Sequence, residues 1–108
     1  MAKVNTAHIG RSGINGPDME YYKNIGRRIR EARESIGLSR PKLAEVLNMP
    51  PTTLKNYELC YRSAAPATLH RIAGLWGDTN NQMMMLAWLH GMIETRPAYK
   101  GNTLPGMV

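Results

Sequence analysis

The chain has 108 residues and a mass of 12.1 kDa, with 14 Lys and Arg against 8 Asp and Glu and a net charge of +6. That is enough apolar material for one modest core and too little chain for an enzyme with separate cofactor and substrate lobes. A single cysteine excludes an intrachain disulfide framework and an all-cysteine metal site. The longest unbroken apolar run, Met83 to Leu89, has seven residues against the roughly 20 needed to cross a bilayer.

Residues 1–16 hold three glycines and no apolar periodicity, so they read as a flexible arm carrying Lys3 and Arg11. Pro17 and Asp18 look like a helix start, with Asp18 as N-cap. Tyr22, Ile25, Ile29, Ala32 and Ile36 follow at helical spacing, and Gly37 stops the helix; Gly26 is a weak point and a candidate for its true beginning. Ser39 is the next N-cap, with Pro41 in a first turn and Leu43, Ala44 and Leu47 as the apolar stripe. Asn48, Met49 and Pro50 break it. A third helix runs from Pro51 to about Glu58. A fourth opens at Pro66, with Leu69, Ile72, Ala73 and Trp76 inward, and ends at Gly77 and Asp78. A fifth, from about Asn81 to Glu94, is apolar almost all round, and the residues from Pro97 read as a loose tail. No strand alternation is visible, so the fold class is all-α.

Charge is concentrated. Between Lys23 and Arg62 lie nine basic and four acidic residues, an excess of five out of the chain's net six. Local excess of this kind suits phosphate contacts and counterion release on nucleic acid.

Two short helices joined by a tight turn make a helix-turn-helix. The arrangement needs a small residue where the helices meet, supplied by Ala44, and a turn residue tolerant of left-handed backbone, supplied by Asn48. Leu43, Leu47, Met49, Leu54 and Tyr57 supply the inward positions. The run Leu38-Ser39, Leu43-Ala44, Leu47-Asn48-Met49, Leu54, Glu58, then Leu69 and Ile72-Ala73 resembles the lambda-repressor-like helix-turn-helix family (Cro and phage repressors, XRE-type), without a gap from Ile25 to Gly77. Asn48 stands where Gly is usual in that family, Cys60 replaces another Gly, and Ala64 replaces a Pro. Pro50 and Pro51 replace polar residues at the start of the recognition helix.

The resemblance implies a five-helix lambda-repressor-like fold with the helix-turn-helix DNA-binding domain at residues 17–78; the extra C-terminal apolar helix at 79–96 is expected to dimerise, and 97–108 to form a flexible tail. With the third helix in a major groove, Thr52, Thr53, Lys55 and Asn56 meet base edges; Pro51 offers no donor and is left for apolar contact with a thymine methyl. Arg40, Lys42, Tyr61 and Arg62 are the phosphate contacts, which position without specifying. Arg33 and Glu58 occupy positions that pair internally in some relatives.

An apolar helix on a small bundle leaves one face for a partner. Met84, Met85, Trp88, Leu89 and Met92 are therefore expected at a homodimer seam or against a second protein. His8, His70 and His90 lie far apart with no thiol or carboxylate at ligand spacing, so no metal and no cofactor are expected. Arg62 is a candidate for lowering the Cys60 pKa slightly. The expected protein is no enzyme but a sequence-specific DNA-binding transcriptional regulator, a phage or bacterial repressor acting as a homodimer on a two-fold operator. It would work in the cytoplasm on double-stranded DNA of the nucleoid, with no membrane partner. An antitoxin holding a toxin through its last helix, or an interaction module without specific readout, are the alternatives.

Overall fold

The computed structural model describes residues 19–107. It contains α1 (Met19–Ser35), α2 (Arg40–Val46), α3 (Pro51–Glu58), α4 (Pro66–Gly74) and α5 (Thr79–Leu89), with no strand among the described residues. The arm, Pro17 and the Asp18 cap lie outside them.

In α1, Ile25, Ile29 and Ala32 recur on the buried face, while Arg27–Glu31 and Arg30–Glu34 pair at 3.0 Å along the exposed one. Exposed to solvent on both sides, such pairs add little to stability. The helix does not begin at Gly26 but runs through it. Gly26 is buried against the end of α3, where a Cβ would stand 2.6 Å from the Tyr57 carbonyl oxygen. Its lack of a side chain sets the distance between the two helices. Gly37, at φ 73°, then ends α1, and the Leu38 N–H returns to the Arg33 carbonyl at 3.2 Å.

Ser39 Oγ accepts from the Lys42 N–H at 3.3 Å and so caps α2. The turn to α3 takes four residues, 47–50, with Asn48 at φ 56° and the Met49 N–H on the Ala44 carbonyl. Ala44 is fully buried, as are Leu43, Leu47 and Leu54; Met49 and Tyr57 pack against them from the edge. α1 and α2 both pack on α3, and α5 packs on α4 and α1.

α5 is shorter than the expected helix from Asn81 to Glu94 and starts earlier. Asp78 Oδ1 accepts from the Asn81 N–H at 3.0 Å, placing the cap before Thr79. Gly91, at φ 81°, ends the helix: the Met92 N–H bonds the Ala87 carbonyl and the Gly91 N–H the Trp88 carbonyl. The expectation of helix as far as Glu94 is therefore corrected, because a left-handed glycine satisfies the last carbonyls and turns the chain away.

Residues 97–107 are not a loose tail. Pro97 is buried, and its carbonyl accepts from Trp76 Nε1 at 2.9 Å. Asn81 Nδ2 donates to the Trp76 carbonyl at 2.6 Å and to the Ala98 carbonyl at 2.8 Å, while the Lys100 N–H also bonds Trp76 at 3.0 Å. The Tyr99 ring meets the Trp76 ring edge-on at 5.0 Å. Leu104 and Met107 pack farther along the same core. This strap covers the indole and satisfies polar groups that a Trp buried to 1% exposure requires.

Candidate nucleic-acid interface

Two prolines shape the tip of α3. Pro50 is its N-cap without a side-chain cap bond, and Pro51 opens the first turn with φ already suited to helix. Neither has an N–H, and the Thr53 N–H is taken by the Pro50 carbonyl at 3.0 Å, which leaves the Thr52 N–H at the tip. Pro51, Thr52 and Lys55 are exposed, whereas Thr53 and Asn56 are half-buried. All five lie on the one helix that α1 and α2 hold from behind.

The loop after α3 hangs from Asn56. Its carbonyl accepts from the Tyr61 N–H at 2.8 Å and the Arg62 N–H at 3.3 Å. That return needs a left-handed residue, and Cys60 provides it at φ 63°. Tyr61 and Arg62 are exposed, Tyr61 to 61%. Burial pushes the Cys60 thiol above its ordinary pKa, and the one opposing charge is Lys23. The expectation that Arg62 lowers it is thereby corrected; desolvation outweighs the nearby cation.

The first turn of α2 carries Arg40 and Lys42 and no acidic residue. Lys42 is exposed at its end, with the Gly106 backbone against its methylenes. Arg40 joins a charge cluster built on Glu58, whose side chain is fully buried at the end of α3. Arg33 Nε donates to Glu58 Oε2 at 2.7 Å, Arg33 Nη2 to Oε1 at 3.1 Å, and Arg33 Nη1 to the Leu38 carbonyl at 3.0 Å. Arg40 Nε donates to Glu58 Oε1 at 2.9 Å. The third link is a product of tertiary structure; sequence spacing carries no signal of it. Beside the cluster, the hydrogen bond from Arg30 holds the Glu34 carboxyl below its ordinary pKa and raises that of Arg30.

The residues expected at a dimer or partner seam separate into two groups. Met85, Trp88 and Leu89 are buried in the domain's own core, at 3% exposure or less, and are corrected to core residues. They face α4 and α1, which take the apolar side of α5. Arg28 adds to this packing, donating Nη1 to the Trp88 and Ile93 carbonyls and stacking over the Trp88 ring at 4.8 Å. Met84 and Met92 remain exposed, joined by Met83. His90 Nδ1 lies 2.9 Å from Tyr21 Oη, and no group of three or more His, Cys, Asp or Glu is placed for a metal among the described residues. No described helix is long and apolar enough to cross a membrane.

An α2 packed through Leu43 and Ala44, a four-residue turn and an α3 with an outward tip define an all-α domain built on a helix-turn-helix. Residues 29–75 match the model of the helix-turn-helix family. Over 61 residues the chain is 31% identical to the HTH-type transcriptional regulator ImmR of Bacillus subtilis (strain 168), covering 56% of this chain and 48% of that protein. The chain thus spans about half the length of this relative. Among solved structures it is similar to the restriction-modification controller protein C.AhdI from Aeromonas hydrophila, at 24% identity and a TM-score of 0.47, over 49% of this chain and 80% of that one.

Proposed function

We propose that the chain is a sequence-specific DNA-binding transcriptional regulator that docks α3 in a major groove. The observation that carries this is the exposed tip of α3, with Pro51, Thr52 and Lys55 outward, flanked by Arg40 and Lys42 on α2 and by Tyr61 and Arg62 in the next loop. Thr52, Thr53, Lys55 and Asn56 would read base edges, and the flanking cations and Tyr61 would take phosphates. The likeness to ImmR, named as a transcriptional regulator, supports the same reading. Occupying an operator requires no chemistry. The site of action would be the nucleoid in a bacterial cytoplasm.

The regulator would bind as a homodimer to a two-fold operator. Support comes from Met83, Met84 and Met92, which are 65%, 41% and 76% exposed on or just after α5. Methionines in the open are adaptable contact surface. Selection of bound duplexes from a randomised DNA pool tests both statements. A two-fold motif with half-sites about 10 bp apart is the expected result. A motif with one half-site would remove the dimer, and recovery without any motif would remove specific readout.

A further inference from the structure

The Arg40 guanidinium is held in place from below. Among the described residues, all three nitrogens of Arg33 are engaged, two on Glu58 and one on Leu38. Arg40 uses Nε alone. Among the described residues its Nη1 and Nη2 have no hydrogen-bond partner, and they are not buried, since Arg28 Nε is the one buried side-chain N or O atom there without a hydrogen bond. The Arg40 side chain is 31% exposed, against 10% for Arg33 and 0% for Glu58. One buried carboxylate therefore faces two guanidiniums, and the surplus positive charge sits on the outer one.

From this geometry we infer that Glu58 is a positioning residue for DNA binding: it locks Arg40 by Nε so that the two free Nη groups present a fixed fork to one backbone phosphate. The inference rests on the DNA-binding reading and deepens it, by assigning a phosphate clamp and the residue that aims it. An unrestrained surface arginine loses rotamer freedom when it meets a phosphate; a guanidinium already held by Nε has lost most of it. The fork also matches a phosphate with two parallel N–H donors. Because Glu58 ends α3 and Arg40 begins α2, the clamp ties the backbone contact to the register of the recognition helix. A lysine could not fill the role, since a single ammonium at the end of a flexible stem reaches either Glu58 or the phosphate with a fixed fork to neither.

The test is binding of the full chain to a mixed-sequence 30 bp duplex, followed by fluorescence anisotropy across a KCl series. Arg33 keeps Glu58 satisfied when Arg40 changes, so Arg40→Lys and Arg40→Ala remain folded. Arg40→Ala should lower the magnitude of the log K against log salt slope by about 0.9, the value of one phosphate. Arg40→Lys should weaken binding roughly tenfold although the charge is kept. Glu58→Gln should weaken binding in the natural background and leave it unchanged in the Arg40→Ala background. Wild-type affinity for Arg40→Lys would overturn the inference while the DNA-binding reading stands, and so would an equal loss from Glu58→Gln in both backgrounds. If Glu58→Gln does not fold, Arg40→Lys decides alone. Failure of the natural chain to bind any duplex would overturn both.

Discussion

Gly26 of α1 lies against Tyr57 of α3 so closely that a methyl group at Gly26 would stand 2.6 Å from the Tyr57 carbonyl oxygen and 2.9 Å from that of Glu58. In an isolated helix, Gly26→Ala would stabilise by about 1 kcal/mol. Here both obstacles are backbone, which does not swing aside, so overpacking by about 1–3 kcal/mol opposes the gain. The expected outcome is a lower denaturant midpoint for Gly26→Ala. A rise would mean that α1 and α3 separate freely, and with them the support behind the recognition helix.

Glu58 answers for two arginines. Glu58→Ala would leave the buried Arg33 guanidinium with only the Leu38 carbonyl, and stability should fall by about 3 kcal/mol. Arg40→Ala should cost much less, since Arg33 still grips both carboxylate oxygens. Combining Glu58→Ala with Arg33→Leu should lose less than the sum of the single changes. Urea unfolding of the natural chain, the three single variants and the double variant checks the order, and equal losses from Glu58→Ala and Arg40→Ala would contradict it.

Removal of the residues after Arg96 should destabilise the domain although no helix is touched. Trp76 Nε1 loses the Pro97 carbonyl and Asn81 Nδ2 that of Ala98, and water replaces both as the indole is uncovered, at about 0.5–1.5 kcal/mol for each bond exchanged. The Tyr99 ring also leaves the indole. A lower thermal midpoint and red-shifted tryptophan emission are expected. An unchanged midpoint would mean that the strap is decoration.

Cys60 should be a slow nucleophile. Burial raises its pKa, so the folded chain holds less thiolate than the unfolded chain at the same pH. The pH profile of its alkylation by iodoacetamide should lie above that of the urea-unfolded protein. The linked effect on stability has a definite sign: a raised folded pKa contributes stability below the unfolded value, lost as pH rises through the folded one. Thermal midpoints measured through the alkaline range should therefore fall more for the natural chain than for Cys60→Ala.

Much of this structure is local and was legible in the chain. The spacing of Ile25, Ile29 and Ala32, the Ser39 cap, the Gly37 stop and the run from Pro51 to Glu58 each follow from hydrogen bonds and packing within a turn or two. The helix-turn-helix was legible for the same reason: Ala44, Asn48 and Leu54 are demanded by contacts between neighbours in sequence. Gly91 was a readable stop as well, masked by the strength of the apolar run on either side.

Other features depend on contacts that no window along the chain contains. Pro97 meets Trp76 across 21 residues and Arg33 meets Glu58 across 25, so a segment rich in Gly and Pro became a strap rather than a loose tail. Apolar character alone left α5 free to face a partner; the positions of α4 and α1 decided that Met85, Trp88 and Leu89 face inward and Met83 and Met84 outward. The same holds for Arg40, whose charge is written in the sequence and whose restraint is not. Composition and spacing determine which segments become helices and which residues are charged or apolar, because those are properties of one turn at a time. Which apolar face is covered, and which arginine is held with its donors outward, was decided by tertiary structure, because burial and buried charge are settled only when distant segments exclude water together.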